Sequence, residues 1–246
     1  MKKLNNLVSN KTVALVGPAA YMQNSALGSE IEDHDIVIRI NRSIETTKKY
    51  PKDIGTRTDI LYSCLIETSM QAGMLDVDEL YNLHGVRLIC CPPESTYQGI
   101  SYATDYHHMV NKDTVKRLEK RMPVRIVDHE FHTDLAMKVK CRPNTGFMAI
   151  YDLLRSEAKI VSIYGFSFYL DGFIPGCKSG VEEEKGCTEQ EFANMAFNSK
   201  RHIQKNMWKY AKVTLPNIEN VKLDNTLTKI LSMESLDREE FLQKVI

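Results

Sequence analysis

Two segments far apart in the chain carry the residues best suited to hold a ligand. The first has Gly17 directly after the apolar run Val13–Val16, and Asn41 after a second apolar run. The second is the turn Asn144-Thr145-Gly146, which precedes an apolar-periodic stretch. Glycine permits a tight turn, and a helix starting there offers backbone N–H groups to an anion such as a phosphate. The Asn41 amide can both donate and accept hydrogen bonds, which suits a base or ribose edge. We therefore predict ligand contacts at these positions.

Two arginines flank Asn41. Arg39 lies in the apolar run, where a buried guanidinium needs a partner, and the sequence offers Asp35, Asp53 and Asp59 as carboxylates. We interpret Arg39 as structural and leave the role of Arg42 open.

The elements that position these residues alternate between strand and helix patterns. The predicted strands are short, rich in Val and Ile and apolar almost throughout, as is typical of strands covered on both faces. They are Val13–Val16, Asp35–Ile40, Asp59–Cys64, Val86–Cys91, Val124–Asp128 and Ile160–Tyr164. Helices are predicted at Asn24–Glu32, Asp76–Asn82, Val115–Arg121, Thr145–Glu157, Glu189–Ala211 and Asp237–Val245. This alternation predicts an α/β fold with a mainly parallel sheet between helix layers. Such a sheet gathers the turns after its strands at one edge.

The segment Ser167–Thr188 interrupts this rhythm. It contains glycines, a proline, an acidic run and two cysteines, so we predict a long loop that acts as a lid. Aromatic residues begin it, and of these Tyr169 is the predicted ligand contact. We expect one domain over residues 1–246, with the lid loop at 167–188.

Length, charge and cysteine usage narrow the classes of function. The 246 residues include 32 basic and 32 acidic side chains, and this balance argues against nucleic acid as the main partner. No apolar run approaches the ~20 residues of a membrane-spanning helix. The six cysteines do not form a disulfide-scaffold pattern, and no zinc-like spacing is present. We expect reduced thiols, no metal and a cytoplasmic protein.

Two stretches of the sequence resemble the sialyl motifs of glycosyltransferase family 29. The region from Val13 to about Tyr62 is similar to the long motif, through Val-Ala-Leu-Val-Gly17, Gly28-Ser-Glu-Ile-Glu-Asp-His-Asp-Ile-Val-Ile-Arg-Ile-Asn41 and Asp53-Ile-Gly-Thr-Arg-Thr-Asp59. The region Arg142–Phe166 is similar to the short motif, with Pro-Asn-Thr-Gly146 at its head and Ile-Tyr-Gly-Phe166 at its end.

This resemblance implies a Rossmann-like variant of the glycosyltransferase-A fold that uses CMP-sialic acid, or a related CMP-activated 2-keto sugar acid, and a glycan acceptor. It implies inversion at the anomeric carbon, with neither a metal nor another cofactor. By position, Asn41 contacts the nucleotide and Asn144–Gly146 hold ribose and phosphate. Asp53 and Arg57 brace the sheet.

The resemblance also implies a catalytic base. The family has a His followed five positions later by Glu, whereas Phe197 and His202 stand at the nearest match. An imidazole accepts a proton near neutral pH, so we predict His202 to be the base. The other candidate bases are Asp171, Glu182, His129 and His132. We interpret the last two as a polar strand end rather than a metal cluster.

The sequence departs from the family at three further points. Pro18 and Ala19 replace the Asn-Ser that usually follows the first glycine. Thr12 stands in place of the long-motif Cys, and its partner Cys is absent near Ser156. The missing cysteines agree with a reducing compartment. Two alternatives stay open: a Rossmann-like enzyme that uses another nucleotide such as NAD(P), and a non-catalytic nucleotide- or glycan-binding module.

Overall fold

A parallel β-sheet organises the protein. The computed structural model describes residues 1–68, 71–94 and 109–245. In this part of the chain the strands are β1 (Thr12–Val16), β2 (Ile36–Ile40), β3 (Ile60–Tyr62), β4 (Leu88–Cys91), β5 (Val124–Ile126), β6 (Ile160–Tyr164) and β7 (Val221–Leu223). Every pairing between them is parallel, which confirms the predicted fold class.

The strand order places the two motif regions side by side. It runs β5-β4-β3-β2-β1-β6-β7, so the chain moves outward from β1 to β5 and then crosses back to β6 on the other side of β1. Val16, at the end of β1, stands opposite Arg39 of β2 and Tyr164 of β6. The turns after these three strands therefore begin at the same edge. The reversal between β1 and β6 is the position where ligands bind in open α/β sheets.

Helices cover both faces of the sheet. They are α1 (Lys2–Val8), α2 (Gly28–Glu32), α3 (Pro51–Ile54), α4 (Lys112–Leu118), α5 (His129–Val139), α6 (Thr145–Leu153), α7 (Val181–Lys185), α8 (Glu189–Phe197), α9 (Gln204–Thr214), α10 (Asn225–Ser232) and α11 (Arg238–Lys244). Short 3₁₀ turns lie at Ala20–Met22, Asn41–Thr46 and Leu215–Asn217, and a π-helical turn lies at Glu79–Leu83. Val13 and Leu15 pack toward α6 and α9, whereas Ala14 and Val16 pack toward α2 and α3. In the described ranges none of the helices combines the length and apolar character needed to cross a bilayer.

The predicted strands are all present, although four of them are shorter than expected. The predicted helix Glu189–Ala211 is wrong, because the chain forms α8 and α9 with a break at 198–203. The Ser199 hydroxyl oxygen accepts the N–H groups of Arg201 and His202, so a local turn replaces helical bonds there. The strand end expected at His129 and His132 is also wrong. Asp128 caps α5 there through the Phe131 N–H.

Arg39 is buried and structural, but its predicted carboxylate partner is wrong. Its guanidinium donates to the carbonyl oxygens of Ile54 (2.7 Å) and Arg57 (3.1 Å) and to the Thr58 hydroxyl (3.1 Å). Burial lowers the pKa of Arg39 to about 10, with the charge of Glu32 acting in the opposite direction. Backbone oxygens thus stabilise this cation and connect β2 to the loop before β3.

A buried ion pair holds helix α6 against the sheet. Asp152, fully buried near the end of α6, accepts hydrogen bonds from Arg125 of β5 (2.9 Å between Oδ1 and Nη2) and from the Tyr62 hydroxyl of β3 (2.8 Å). Because the first turn of α6 carries the Asn144–Gly146 residues, these bonds fix that turn relative to the strands.

Candidate active site

A cavity of about 670 Å³ opens at the carboxyl ends of the strands. Its wall includes residues that follow β1, β2, β3, β4 and β6, together with the start of α6, the segment Ser167–Thr188 and the break between α8 and α9. The size falls in the range of small-ligand sites, ~300–1,000 Å³. Of the seven predicted site residues, Asn41, Asn144, Thr145, Gly146, Tyr169 and His202 line it.

Asn41 begins the turn after β2. Its backbone has a left-handed φ of 45°, a conformation that asparagine tolerates better than most residues. Its side-chain Oδ1 accepts the Cys64 N–H at 3.0 Å, which fixes the amide between β2 and the end of β3. With the oxygen engaged, the amide NH₂ is the group that can donate to a ligand.

The start of α6 presents two backbone donors to the cavity. Asn144 caps the helix, because its side-chain oxygen accepts the Phe147 N–H at 2.8 Å. The N–H groups of Thr145 and Gly146 precede the first helical hydrogen bond and have no protein acceptor among the described residues. A Cβ at Gly146 would lie 2.9 Å from Cε1 of Phe166, so glycine allows the close packing here. This helix start can hold an anionic group.

Gly17 is the predicted site residue that does not line the cavity. Its N–H donates to the Tyr164 carbonyl oxygen (2.7 Å), and the Ala19 N–H donates to that of Gly165 (3.1 Å). A Cβ on Gly17 would lie 2.3 Å from the Gly165 carbonyl oxygen. Gly17 therefore has a packing role: it lets the turns after β1 and β6 meet. This turn does not offer an anion the N–H groups that the sequence suggested.

His202 lies in the break between α8 and α9, and its loop is docked on the head of the short-motif region. The Arg142 N–H donates to the Arg201 carbonyl oxygen (3.2 Å), and His202 Nδ1 lies 2.8 Å from the Arg142 carbonyl oxygen. Because a carbonyl oxygen can only accept, Nδ1 carries a hydrogen and Nε2 of the neutral ring keeps its lone pair. Burial lowers the pKa of His202 to about 4, and the charges of Arg142 and Arg201 act in the same direction. The imidazole is thus neutral near pH 7.

The other four candidate bases lie outside the cavity lining. Asp171 is engaged elsewhere, since its Oδ2 accepts the Tyr21 N–H at 2.6 Å, and burial raises the pKa of its carboxyl group. His129 is exposed at the start of α5, His132 is buried within that helix, and Glu182 is exposed on α7. Of the five candidate bases, only His202 lines the same cavity as Asn41 and Thr145.

Comparison with known proteins identifies the family. Residues 3–172 match the sequence profile of glycosyltransferase family 29 (sialyltransferase). The chain belongs to this family. The NAD(P) enzyme and the binding module are therefore not favoured.

Individual family 29 proteins are similar to this chain at modest identity. Beta-galactoside alpha-2,6-sialyltransferase 2 of Xenopus tropicalis is 27% identical over 168 residues, covering 63% of this chain and 31% of that protein. Human beta-galactoside alpha-2,6-sialyltransferase 1 is 32% identical over 127 residues, covering 50% of this chain and 30% of that protein. The chain thus spans about a third of the length of these relatives. A crystal structure of a variant of the sialyltransferase CST-II in complex with CMP has a similar fold, with a TM-score of 0.52 and 14% identity over 87% of this chain and 80% of that one.

The cavity of this family 29 chain has a strongly cationic wall that the sequence analysis did not identify. Its described lining includes five basic side chains and no Asp or Glu; the basic residues are Arg42, Arg142, Lys178, Lys200 and Arg201. Such a wall suits a ligand with more than one negative charge. Arg142 could have been noticed from its place at the head of the short-motif region. Lys178, in the segment Ser167–Thr188, carries no comparable signal.

The segment Ser167–Thr188 forms a wall beside these cations. The Ile174 N–H donates to the Pro18 carbonyl oxygen (2.8 Å), which docks the segment on the turn after β1. Tyr169 packs edge-on against Phe173 at 5.2 Å between ring centroids, and Phe173 stacks on Phe192 of α8 at 6.0 Å. Closure of this segment as a lid stays a prediction.

Proposed function

We propose that this protein transfers sialic acid, or a related 2-keto sugar acid, from a CMP-activated donor to a hydroxyl group of a glycan. One observation carries the proposal: the long-motif Asn41, the short-motif turn Asn144–Gly146 and the imidazole of His202 line one cavity. Family membership supports the choice of a CMP-activated donor.

The leaving group is the phosphate of CMP. Negative charge develops on it as the bond to the anomeric carbon breaks. The free N–H groups of Thr145 and Gly146, at the positive end of α6, are suited to stabilise that charge. Because these donors are fixed by the Asn144 cap and by the Asp152 ion pair, they need no rearrangement during the reaction. The NH₂ group of Asn41 is available for the nucleoside.

The acceptor hydroxyl must lose its proton as it attacks. In this proposal Nε2 of His202 takes the proton, while Nδ1–H stays bonded to the Arg142 carbonyl oxygen. Attack on the side opposite CMP inverts the anomeric centre in one displacement. The donor brings a phosphodiester and a carboxylate, and these negative charges raise the pKa of the imidazole toward neutrality.

The proposed reaction needs no metal, since backbone dipoles and cations can balance the donor charges. A cytoplasmic location is also proposed. It is supported by Thr12 at the position of the family cysteine, where its side chain instead bonds to Asp35 (3.0 Å), and by six cysteines that form no disulfide in the part of the chain that the structure describes.

Release of CMP from CMP-sialic acid, with and without sugar acceptors, tests the proposal. We expect CMP release that rises with acceptor and is unaffected by EDTA, and we expect no release of UDP from UDP-linked sugars. Thermal shift with CMP, UDP and NAD gives an independent measurement. Stabilisation by NAD and not by CMP would contradict the proposal, as would a chain that binds CMP but never releases it from the donor.

A further inference from the structure

Lys178 places a buried cation in the wall of the cavity. Its side chain belongs to the segment Ser167–Thr188 and is only 6% exposed. Nζ donates to the Gln71 carbonyl oxygen at 3.2 Å and lies 5.3 Å from the ring centroid of Phe173 and 5.8 Å from that of Phe192. Burial lowers the pKa of Lys178, so an anionic group placed beside it would stabilise its charged form.

The backbone around Lys178 is held from two sides. On one side, the Arg42 guanidinium donates to the Ser179 hydroxyl (2.8 Å), and Arg42 itself is paired with Glu45. On the other side, the first residue of α8, Glu189, accepts the N–H groups of Gly176 (3.0 Å) and Lys178 (2.7 Å). The cation is therefore part of a formed site rather than the end of a mobile surface chain.

The donor in the proposed function has two negative groups attached to one carbon atom. Its phosphate matches the N–H groups at the start of α6, and its carboxylate needs a second donor group. Lys178 fits this need because the faces of Phe173 and Phe192 limit water around Nζ, which strengthens a charge–charge interaction. We infer that Lys178 binds the carboxylate of the sugar acid and makes the enzyme selective for acidic CMP-linked sugars. This inference rests on the proposed function.

A chemical double-mutant cycle tests this contact. Isothermal titration would compare wild type and Lys178→Met with three probes: CMP, an unreactive 3-fluoro analogue of CMP-sialic acid, and the carboxylate methyl ester of that analogue. A hydrogen bond between two charged groups predicts that Lys178→Met weakens binding of the acid analogue about tenfold or more. Binding of CMP and of the ester is expected to change at most about twofold, because neither carries the carboxylate.

Two further variants control for charge and folding. Lys200→Met removes an exposed cation from the same cavity wall. Because solvent screens an exposed charge, we expect the acid and the ester to lose affinity to within about twofold of each other. If Lys178→Met is insoluble, Lys178→Gln replaces it in the cycle, because its amide can still donate to the Gln71 carbonyl oxygen. A carboxylate could also come from an acidic acceptor. Titration of sialyllactose, an acidic acceptor, into the CMP complexes of wild type and Lys178→Met shows whether Lys178 binds the acceptor carboxylate instead.

Each outcome decides between the ideas. Equal loss of affinity for CMP would assign Lys178 to the phosphate or the fold and overturn the inference, as would equal loss for acid and ester. A loss of affinity for sialyllactose alone would assign Lys178 to the acceptor site and would also overturn the inference. A wild-type protein that binds neither CMP nor the acid analogue would overturn the proposed function itself. Binding of both, with no coupling to Lys178, would overturn this inference alone.

Discussion

Replacing His202 by Gln is expected to slow turnover without weakening donor binding. The glutamine amide can donate to the Arg142 carbonyl oxygen, as Nδ1 of the imidazole does at 2.8 Å, so the loop before α9 keeps its anchor. Glutamine cannot accept a proton from the acceptor hydroxyl. Loss of a positioned base lowers kcat by ~10²–10⁴-fold, and the KM for the donor is expected to stay within a few-fold.

The pH dependence of the wild-type enzyme sharpens this prediction. Burial, together with the charges of Arg142 and Arg201, lowers the pKa of His202 to about 4 in the unliganded protein. We count one of the two donor charges, because the cations and N–H groups of the cavity wall balance the other. One charge at about 6 Å, with an effective dielectric constant of about 20, favours the imidazolium by about 3 kcal/mol, or about two pKa units. The midpoint of kcat/KM, which reports the free enzyme, is therefore expected near pH 4, and that of kcat near pH 6.

Initial rates of CMP release between about pH 3 and about pH 8 give both midpoints, because this range extends below the lower one. His129→Gln is the matched control, because His129 is exposed on α5 and lies outside the cavity. It is expected to keep the wild-type rate and pH profile. Coincident midpoints for kcat and kcat/KM would refute the electrostatic reasoning. Retention of more than about a tenth of the wild-type kcat by His202→Gln would refute the assignment of the base.

Three predictions concern stability. Gly17→Ala is expected to destabilise the fold more than Gly85→Ala in urea unfolding, because a Cβ at Gly17 would lie 2.3 Å from a backbone oxygen. A Cβ at Gly85 meets nothing within 4 Å, so alanine there is disfavoured only by the left-handed φ, by about 1–2 kcal/mol. Equal losses of stability would contradict the packing role of Gly17. Asp152→Ala leaves Arg125 buried without its carboxylate, so the free energy of unfolding is expected to fall by about 3–5 kcal/mol, and a loss below about 1 kcal/mol would show that the pair does not anchor α6. Finally, the pKa of His202 is lower in the folded than in the unfolded protein, so the unfolded state takes up its proton first and stability falls as pH drops from 6.5 to about 4. Over this pH range the free energy of unfolding is expected to fall by up to about 3 kcal/mol more in the wild type than in His202→Gln. If the two proteins show the same dependence of stability on pH, the prediction is contradicted.

The fold could be predicted from the sequence because parallel strands carry a strong local signal. Val13–Val16 and Ile160–Tyr164 are buried almost throughout and are apolar except for Ser162, and both occur where predicted. The sequence also predicted that Asn41 and Thr145 converge, but the common edge of the parallel strands explains only Asn41, which follows β2. Thr145 begins α6 and follows no strand directly, so its place depends on how that helix packs. Strand β7 was missed, since Val221–Leu223 is short and only partly buried.

The remaining features depend on partners that are distant in the chain. Helix periodicity continues through residues 198–203, so the sequence pattern gives no sign of the break between α8 and α9. In the structure the Ser199 hydroxyl accepts the His202 N–H, and His202 lies in a loop rather than in a helix. The backbone oxygens that stabilise Arg39 have no sequence signature, which is why carboxylates were expected instead. Lys178 becomes part of the cavity through long-range contacts, among them those of Ser179 and Glu189, which join its loop to the turn after β2 and to α8.

The departure at Pro18 and Ala19 has a structural consequence for where a donor can be held. Pro18 has no N–H, and the N–H groups of Gly17 and Ala19 are used by the turn after β6. The turn after β1 therefore supplies packing and few ligand contacts, although β1 lies inside the sheet between β2 and β6. Donor groups come instead from the flanks: the amide of Asn41 after β2, the helix start at Thr145 and the cations of the cavity wall. In the proposed function, the negative charges of the donor are therefore bound by the start of α6 and by Lys178 rather than by the turn at Gly17.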